Sequence, residues 1–117
     1  MNICKEHEQL LQYWTKRLGL QDWNIELIDN CSPREMYNPC NQGENRYNFV
    51  HKHAIIRICD KKDRVHDVLP LNYEHLLVHE LLHCKFAVID DSDNFYHDRI
   101  VHQLVEDFTK LLLEGRK

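Results

Sequence analysis

The sequence predicts a single α+β domain in which a small sheet of about three strands packs against helices. The chain has 117 residues, of which 43% are hydrophobic, and this is enough material for one core. Helical periodicity occurs towards both ends of the chain, and alternating apolar residues occur between them. We therefore expect residues 1–117 to form one domain.

The first part of the chain predicts a helix followed by a strand. The helix covers residues 8–18, because its apolar residues recur on one stripe, and Gly19 is a natural stop after it. In the strand, apolar and polar residues alternate with the period of two that is typical of a half-buried strand. The helical stripe comprises Leu10, Leu11, Trp14 and Leu18, and the strand residues are Trp23, Ile25 and Leu27.

The middle of the chain predicts a loop and two further strands. Residues 30–45 are rich in proline, asparagine, cysteine and glycine, which is typical of a loop. Residues 46–51 are compatible with a short strand. Residues 53–59 predict a stronger strand because they are rich in isoleucine, with Ala54, Ile56 and Ile58 on one side of it.

Two helices are expected in the remainder of the chain. A charged connection over residues 60–70 leads into a mostly apolar helix at residues 73–86, for which Asn72 is a suitable N-cap. A polar turn at residues 90–94 precedes a last helix over about residues 96–114. The apolar stripe of this last helix comprises Val101, Leu104, Val105, Phe108, Leu111 and Leu112.

Charge and hydropathy argue against two classes of partner. The formal net charge is −4, and the basic residues are interleaved with acidic ones, so we expect no nucleic-acid ligand. No apolar stretch of the sequence approaches the ~20 residues that a membrane helix needs. Because Met1 leads directly into a charged segment, we also expect no signal peptide. These features predict a cytoplasmic monomer without a membrane partner.

The five cysteines form no CxxC pair. Such a pattern favours free thiols in a reducing compartment, with a single Cys31–Cys40 bridge across the predicted loop as the alternative. Cys84 lies in the apolar helix and is expected in the core instead of on a metal.

The residues with the clearest chemical potential form the sequence His79-Glu80-Leu81-Leu82-His83. Residues four apart lie on the same face of a helix, so the two imidazoles can bind one zinc ion. The glutamate between them does not ligate, but it can take a proton from an activated water molecule. Burying these polar groups in an apolar helix without partners is costly, and this favours metal ligation over a coincidental motif.

A zinc site of this type needs a third protein ligand and leaves its fourth position open to water. Our preferred third ligand is His102, which follows the motif after the 18 residues 84–101. Glu106 lies one turn later on the same face, where it can accept a hydrogen bond that orients an imidazole. Direct ligation by Glu106 or by His97 remains an alternative. His75 is excluded, because three ligands stacked along one straight helix span about 12 Å.

These residues resemble the zincin metallopeptidases. The spacing between the HExxH motif and His102 is similar to that of the gluzincin branch, in which the third ligand is a glutamate on the next helix. Here the matching residue is a histidine, which departs from that rule. The chain length and the strand entry at residues 18–23 resemble small zincin-like proteins of phages and bacteria, the minigluzincin size class.

The resemblance implies a zinc-dependent peptidase that acts on a peptide or protein, with Glu80 as its general base. It also implies that an edge strand of the sheet holds an extended peptide by strand addition. Residues 53–59, which include the charged Arg57, are our candidate for this edge strand. The alternative function is a catalytically silent zinc-binding module that acts through a protein partner.

Overall fold

The computed structural model describes residues 5–36, 43–59, 73–87 and 95–116. Within these residues the chain forms three α-helices and a three-stranded sheet, so the predicted α+β class is confirmed. In chain order the elements are α1 (Lys5–Arg17), β1 (Asn24–Cys31), a short 3-10 helix (Pro33–Glu35), β2 (Gly43–Asn48), β3 (His53–Cys59), α2 (Tyr73–Lys85) and α3 (Phe95–Arg116).

The first helix has charges that suit its dipole, with acidic residues in its first turn and basic residues in its last. It ends where the sequence predicts, because Gly19 adopts a positive φ of 71°. This conformation lets the amide of Leu20 donate to the carbonyl of Thr15 at 2.8 Å, which closes the helix end.

The strand order is β1-β3-β2, with β3 parallel to β1 and antiparallel to β2. The expectation that residues 53–59 form an edge strand is therefore wrong, and Arg57 lies on the central strand. The predicted alternation is confirmed, since Ala54, Ile56 and Ile58 are all buried. Alternation identifies the buried face of a strand, but it does not determine which strands pair with it, so it cannot distinguish an edge strand from a central one.

Two strand boundaries also differ from the sequence-based prediction. Strand β1 continues to Cys31 and β2 begins at Gly43, so the loop predicted over residues 30–45 is wrong at both ends. Cys31 has a free, buried thiol and does not form the alternative bridge. Cys40, Asn72, the connection at 60–70 and the turn at 90–94 lie outside the described residues.

Helix α2 lies at the centre of the fold, where it contacts α1, α3, β2 and β3. Its side chains Leu77, Val78 and Leu81 have no exposed surface, and Cys84 is buried as predicted. Contact on several sides explains why this helix is apolar around most of its circumference. Truncating one such leucine to alanine typically costs about 2–5 kcal/mol, so the packing holds α2 firmly. Among the described residues, none of the helices combines the length and apolar character that crossing a bilayer requires.

Candidate metal centre

Three imidazoles approach one another where α2 and α3 meet. His79 and His83 lie one turn apart on α2, and His102 lies on α3; each contributes a ligand atom within 4.8 Å of the other two. The ring centroids of His79 and His83 are 5.1 Å apart, and those of His83 and His102 are 4.7 Å apart. Zinc–nitrogen bonds of about 2.0–2.1 Å place the nitrogens of a tetrahedral site roughly 3.4 Å apart. Small side-chain rotations therefore let this cluster hold a metal ion.

The packing of α3 determines where His102 lies. Val101 is buried on the same helix, and so is Val105 one turn later. The face of α3 that carries these two valines packs against the core. His102 lies beside that face and is exposed where α3 meets α2. His83 is buried and His79 is half-buried, so the cluster opens to solvent on the side of α3.

Glu106 controls the orientation of one imidazole. Its Oε1 lies 3.0 Å from Nδ1 of His79. An ionised carboxylate can only accept hydrogen bonds, so Nδ1 of His79 donates, and Nε2 keeps its lone pair for a metal. Burial lowers the pKa of His79, although the neighbouring Glu106 opposes this shift. The imidazole is therefore neutral at pH 7, which is the form that binds metals.

The Glu80 side chain packs against the start of β2. Its side chain is buried, and its Oε2 lies 3.2 Å from the position that a Cβ atom on Gly43 would occupy. Burial raises the pKa of the Glu80 carboxyl to about 8, and the nearby Glu44 adds to this shift. In the metal-free protein the carboxyl is thus mostly protonated at neutral pH.

One asparagine joins β2 to α2 beside this carboxyl. The Nδ2 atom of Asn45 donates to the backbone carbonyl of Glu80 at 2.8 Å and lies 3.2 Å from Sγ of Cys84. The thiol faces this asparagine, and burial raises the pKa of Cys84 to about 11. Sequence reasoning missed the roles of Gly43 and Asn45, because no local pattern relates them to residues more than 30 positions away.

Two further histidines, His97 and His75, lie on the same two helices as the cluster. The backbone of His97 belongs to α3, but its side chain lies outside the described part of the structure. His75 is not a member of the three-histidine group, and its Nε2 lies 3.2 Å from each carboxylate oxygen of Glu106.

Comparison of the chain with protein-family models, with curated proteins and with solved structures finds no match. The chemistry of the site is therefore the basis for a functional proposal.

Proposed function

We propose that this protein is a zinc-dependent metallopeptidase whose metal ion is held by three imidazoles and whose general base is Glu80. The imidazoles are those of His79, His83 and His102. The observation that carries the proposal is the approach of their ligand atoms to within 4.8 Å of one another. A set of three nitrogen ligands favours zinc over magnesium or calcium, which prefer oxygen.

The ligand set suits a catalytic site better than a purely structural one. Three protein ligands leave one position open, whereas structural zinc sites use four. The exposure of His102 supports an opening towards solvent on that side. When bound, zinc supplies Lewis acidity that polarises a carbonyl group and acidifies water.

Glu80 performs the proton transfers of the proposed hydrolysis. Its carboxylate takes a proton from the attacking water and later delivers that proton to the leaving amine. The pKa of about 8 in the metal-free protein lies close to a neutral working pH, and a nearby cation favours the ionised form that a base requires. Each cleaved peptide bond consumes one water molecule and no other reactant.

Strand β2 is the proposed docking edge for an extended peptide. It lies at an edge of the sheet that the described strands form, and it begins at Gly43, against which the Glu80 carboxyl packs. Addition of a substrate strand to β2 brings a peptide backbone close to the base. Strand β3 is unsuitable for this role because it is paired on both sides.

The burial of Glu80 favours one second candidate, a zinc-binding module without turnover. The side chain is only 7% exposed, so water reaches its carboxyl only if the surroundings of Gly43 open. A protein of this kind binds zinc and recognises a peptide on β2 without cleaving it.

The test measures zinc content and cleavage on protein without a histidine tag. Zinc is determined by elemental analysis, and cleavage of casein and of a synthetic peptide library is followed by mass spectrometry. We expect about one zinc per chain in the wild type and in Glu80→Gln, with cleavage lost only in Glu80→Gln. Glu114→Gln, an exposed glutamate on α3, is the matched control and retains both properties.

Two other results would decide against the peptidase. If the wild type binds zinc but shows no cleavage that Glu80→Gln abolishes, the result supports the silent module. Absence of zinc after incubation with zinc excludes both functions.

A further inference from the structure

His75 lies one turn before His79 on α2 and reaches the same carboxylate. Its Nε2 is 3.2 Å from both Oε1 and Oε2 of Glu106. The His75 side chain is 13% exposed, so this contact is largely shielded from water. Two histidines of one helix therefore converge on a single glutamate of the neighbouring helix.

The chemistry of the carboxylate fixes the direction of both hydrogen bonds. Ionised Glu106 accepts only, so His75 donates through Nε2 while His79 donates through Nδ1. Oε1 accepts from both rings, and the bond from His75 is shared between the two oxygens. These contacts restrain the carboxylate in its plane.

A third contact to this carboxylate is weaker. Nζ of Lys110 lies 3.8 Å from Oε2 of Glu106, and the lysine side chain is 55% exposed. Exposed pairs at this separation contribute little and are screened by salt. Lys110 therefore does not replace the restraint that His75 provides.

We propose that His75 is a positioning residue for the metal centre, which holds Glu106 so that Glu106 keeps Nε2 of His79 directed at the metal. This inference rests on the proposed zinc site. Residues that orient a metal-bound histidine typically change metal affinity by about 10–100-fold when they are removed. His75 acts one step further from the metal, so we expect its loss to weaken zinc binding by about 3–10-fold.

The experiment measures zinc affinity by competition with a chromogenic chelator, and the visible spectrum of the cobalt-substituted protein. The variants are His75→Ala, His75→Gln, Glu106→Gln and the double variant His75→Ala/Glu106→Gln. We expect His75→Ala to weaken zinc binding and change the cobalt spectrum. The amide of His75→Gln can still donate to the carboxylate and restores both properties. In the Glu106→Gln background, His75→Ala has little further effect because the two residues act as one unit.

His51→Ala is the control, since His51 is an exposed histidine in the turn between β2 and β3. It leaves zinc affinity unchanged. Circular dichroism establishes that each variant is folded. If His75→Ala is not, His75→Leu, which fills more of the space but cannot donate to the carboxylate, takes its place and is expected to weaken zinc binding in the same way.

The results separate this inference from the proposed function. If the wild type binds zinc and His75→Ala binds it equally well with the same cobalt spectrum, the positioning role is wrong and the zinc site stands. If His75→Ala weakens zinc binding equally in the wild-type and Glu106→Gln backgrounds, the positioning role is also wrong, because His75 then acts independently of Glu106. If the wild type binds no zinc, both proposals fail. Zinc binding with the expected coupling but without peptide cleavage supports the positioning role and refutes only the peptidase.

Discussion

The Oε2 atom of Glu80 lies 3.2 Å from the position that a Cβ atom on Gly43 would take. The first residue of β2 therefore touches the candidate base, and it does so where helix α2 and the sheet meet. Any side chain at this position has to share space with the carboxyl group. The start of β2 thus limits where the Glu80 carboxyl lies, and in the proposed function the same strand holds the peptide.

Gly43→Ala is expected to reduce peptide hydrolysis without loss of zinc. The added methyl group forces the Glu80 carboxyl to move by a few tenths of an ångström. A misplacement of 1 Å can cost about 100-fold in rate, so a shift of this size reduces kcat/KM by about 3–10-fold. Kinetics on a cleaved peptide and elemental analysis of the same preparation provide the measurement.

Gly115→Ala is the matched control, because a Cβ atom there meets nothing within 4 Å. It retains full activity. If Gly43→Ala is as active as this control, the position of the base does not depend on the start of β2.

The third metal ligand can be identified by comparing His102→Ala with Glu106→Gln. Removal of a ligand nitrogen is expected to weaken zinc binding by more than about 100-fold, whereas loss of an orienting carboxylate costs about 10–100-fold. His102→Ala is therefore the more severe change, and chelator competition measures both variants. The reverse order would make Glu106 the ligand and His102 a neighbour of the site.

Glu80→Gln is expected to alter the pH dependence of folding in the metal-free protein. The pKa of the Glu80 carboxyl is about 8 in the folded chain and near its ordinary value of 4.5 in the unfolded chain. Between these values the folded state holds a proton that the unfolded state has released. The free energy of unfolding therefore falls as pH rises through this window, by about 1.4 kcal/mol for each pH unit.

Glutamine has no proton to lose, so in the variant this residue does not contribute to the change of the free energy of unfolding with pH. Urea denaturation in the presence of a chelator, at about pH 5.5 and about pH 7.5, gives the comparison. The variant gains stability relative to the wild type at the higher pH. Parallel behaviour of the two proteins, and of the exposed control Glu114→Gln, would show that the pKa of Glu80 is not raised inside the fold.

The local features of the fold were predictable because short-range physics determines them. The four-residue spacing of His79 and His83 places them on one face of a helix whatever surrounds it. Gly19 ends α1 because few other residues tolerate its positive φ. The alternation in residues 53–59 identified the buried face of β3 for the same reason.

The remaining features depend on contacts between distant parts of the chain. The central place of β3 follows from its pairing with two other strands, and its own residues do not encode those partners. The contact of His75 with Glu106 spans 31 positions and requires the packing of α2 on α3. No periodicity in a single sequence specifies such a contact, so the sequence excludes His75 as a ligand but does not indicate its neighbour Glu106.

A buried aspartate outside the metal centre leads to the last prediction. Asp29 of β1 has a side chain that is 4% exposed, and its Oδ2 accepts from Nδ1 of His7 at 2.8 Å. Its Oδ1 accepts from the hydroxyl of Tyr73. The two donor rings are stacked with their centroids 3.5 Å apart. One carboxylate thus joins α1, β1 and the start of α2.

Asp29→Ala is expected to destabilise the protein, because it leaves two partly buried donors without their acceptor. Each such group lowers the free energy of unfolding by about 1–3 kcal/mol. Tyr73→Phe removes only one hydrogen bond and is therefore expected to destabilise the protein less than Asp29→Ala does. Combining Asp29→Ala with Tyr73→Phe adds little to Asp29→Ala alone, since the shared bond is already lost. Urea denaturation of the metal-free variants measures these differences.

The control is Asp22→Ala, which removes an exposed ion pair with Lys52 and leaves stability nearly unchanged. If Asp29→Ala were as mild as this control, the carboxylate would not be what ties the three elements together.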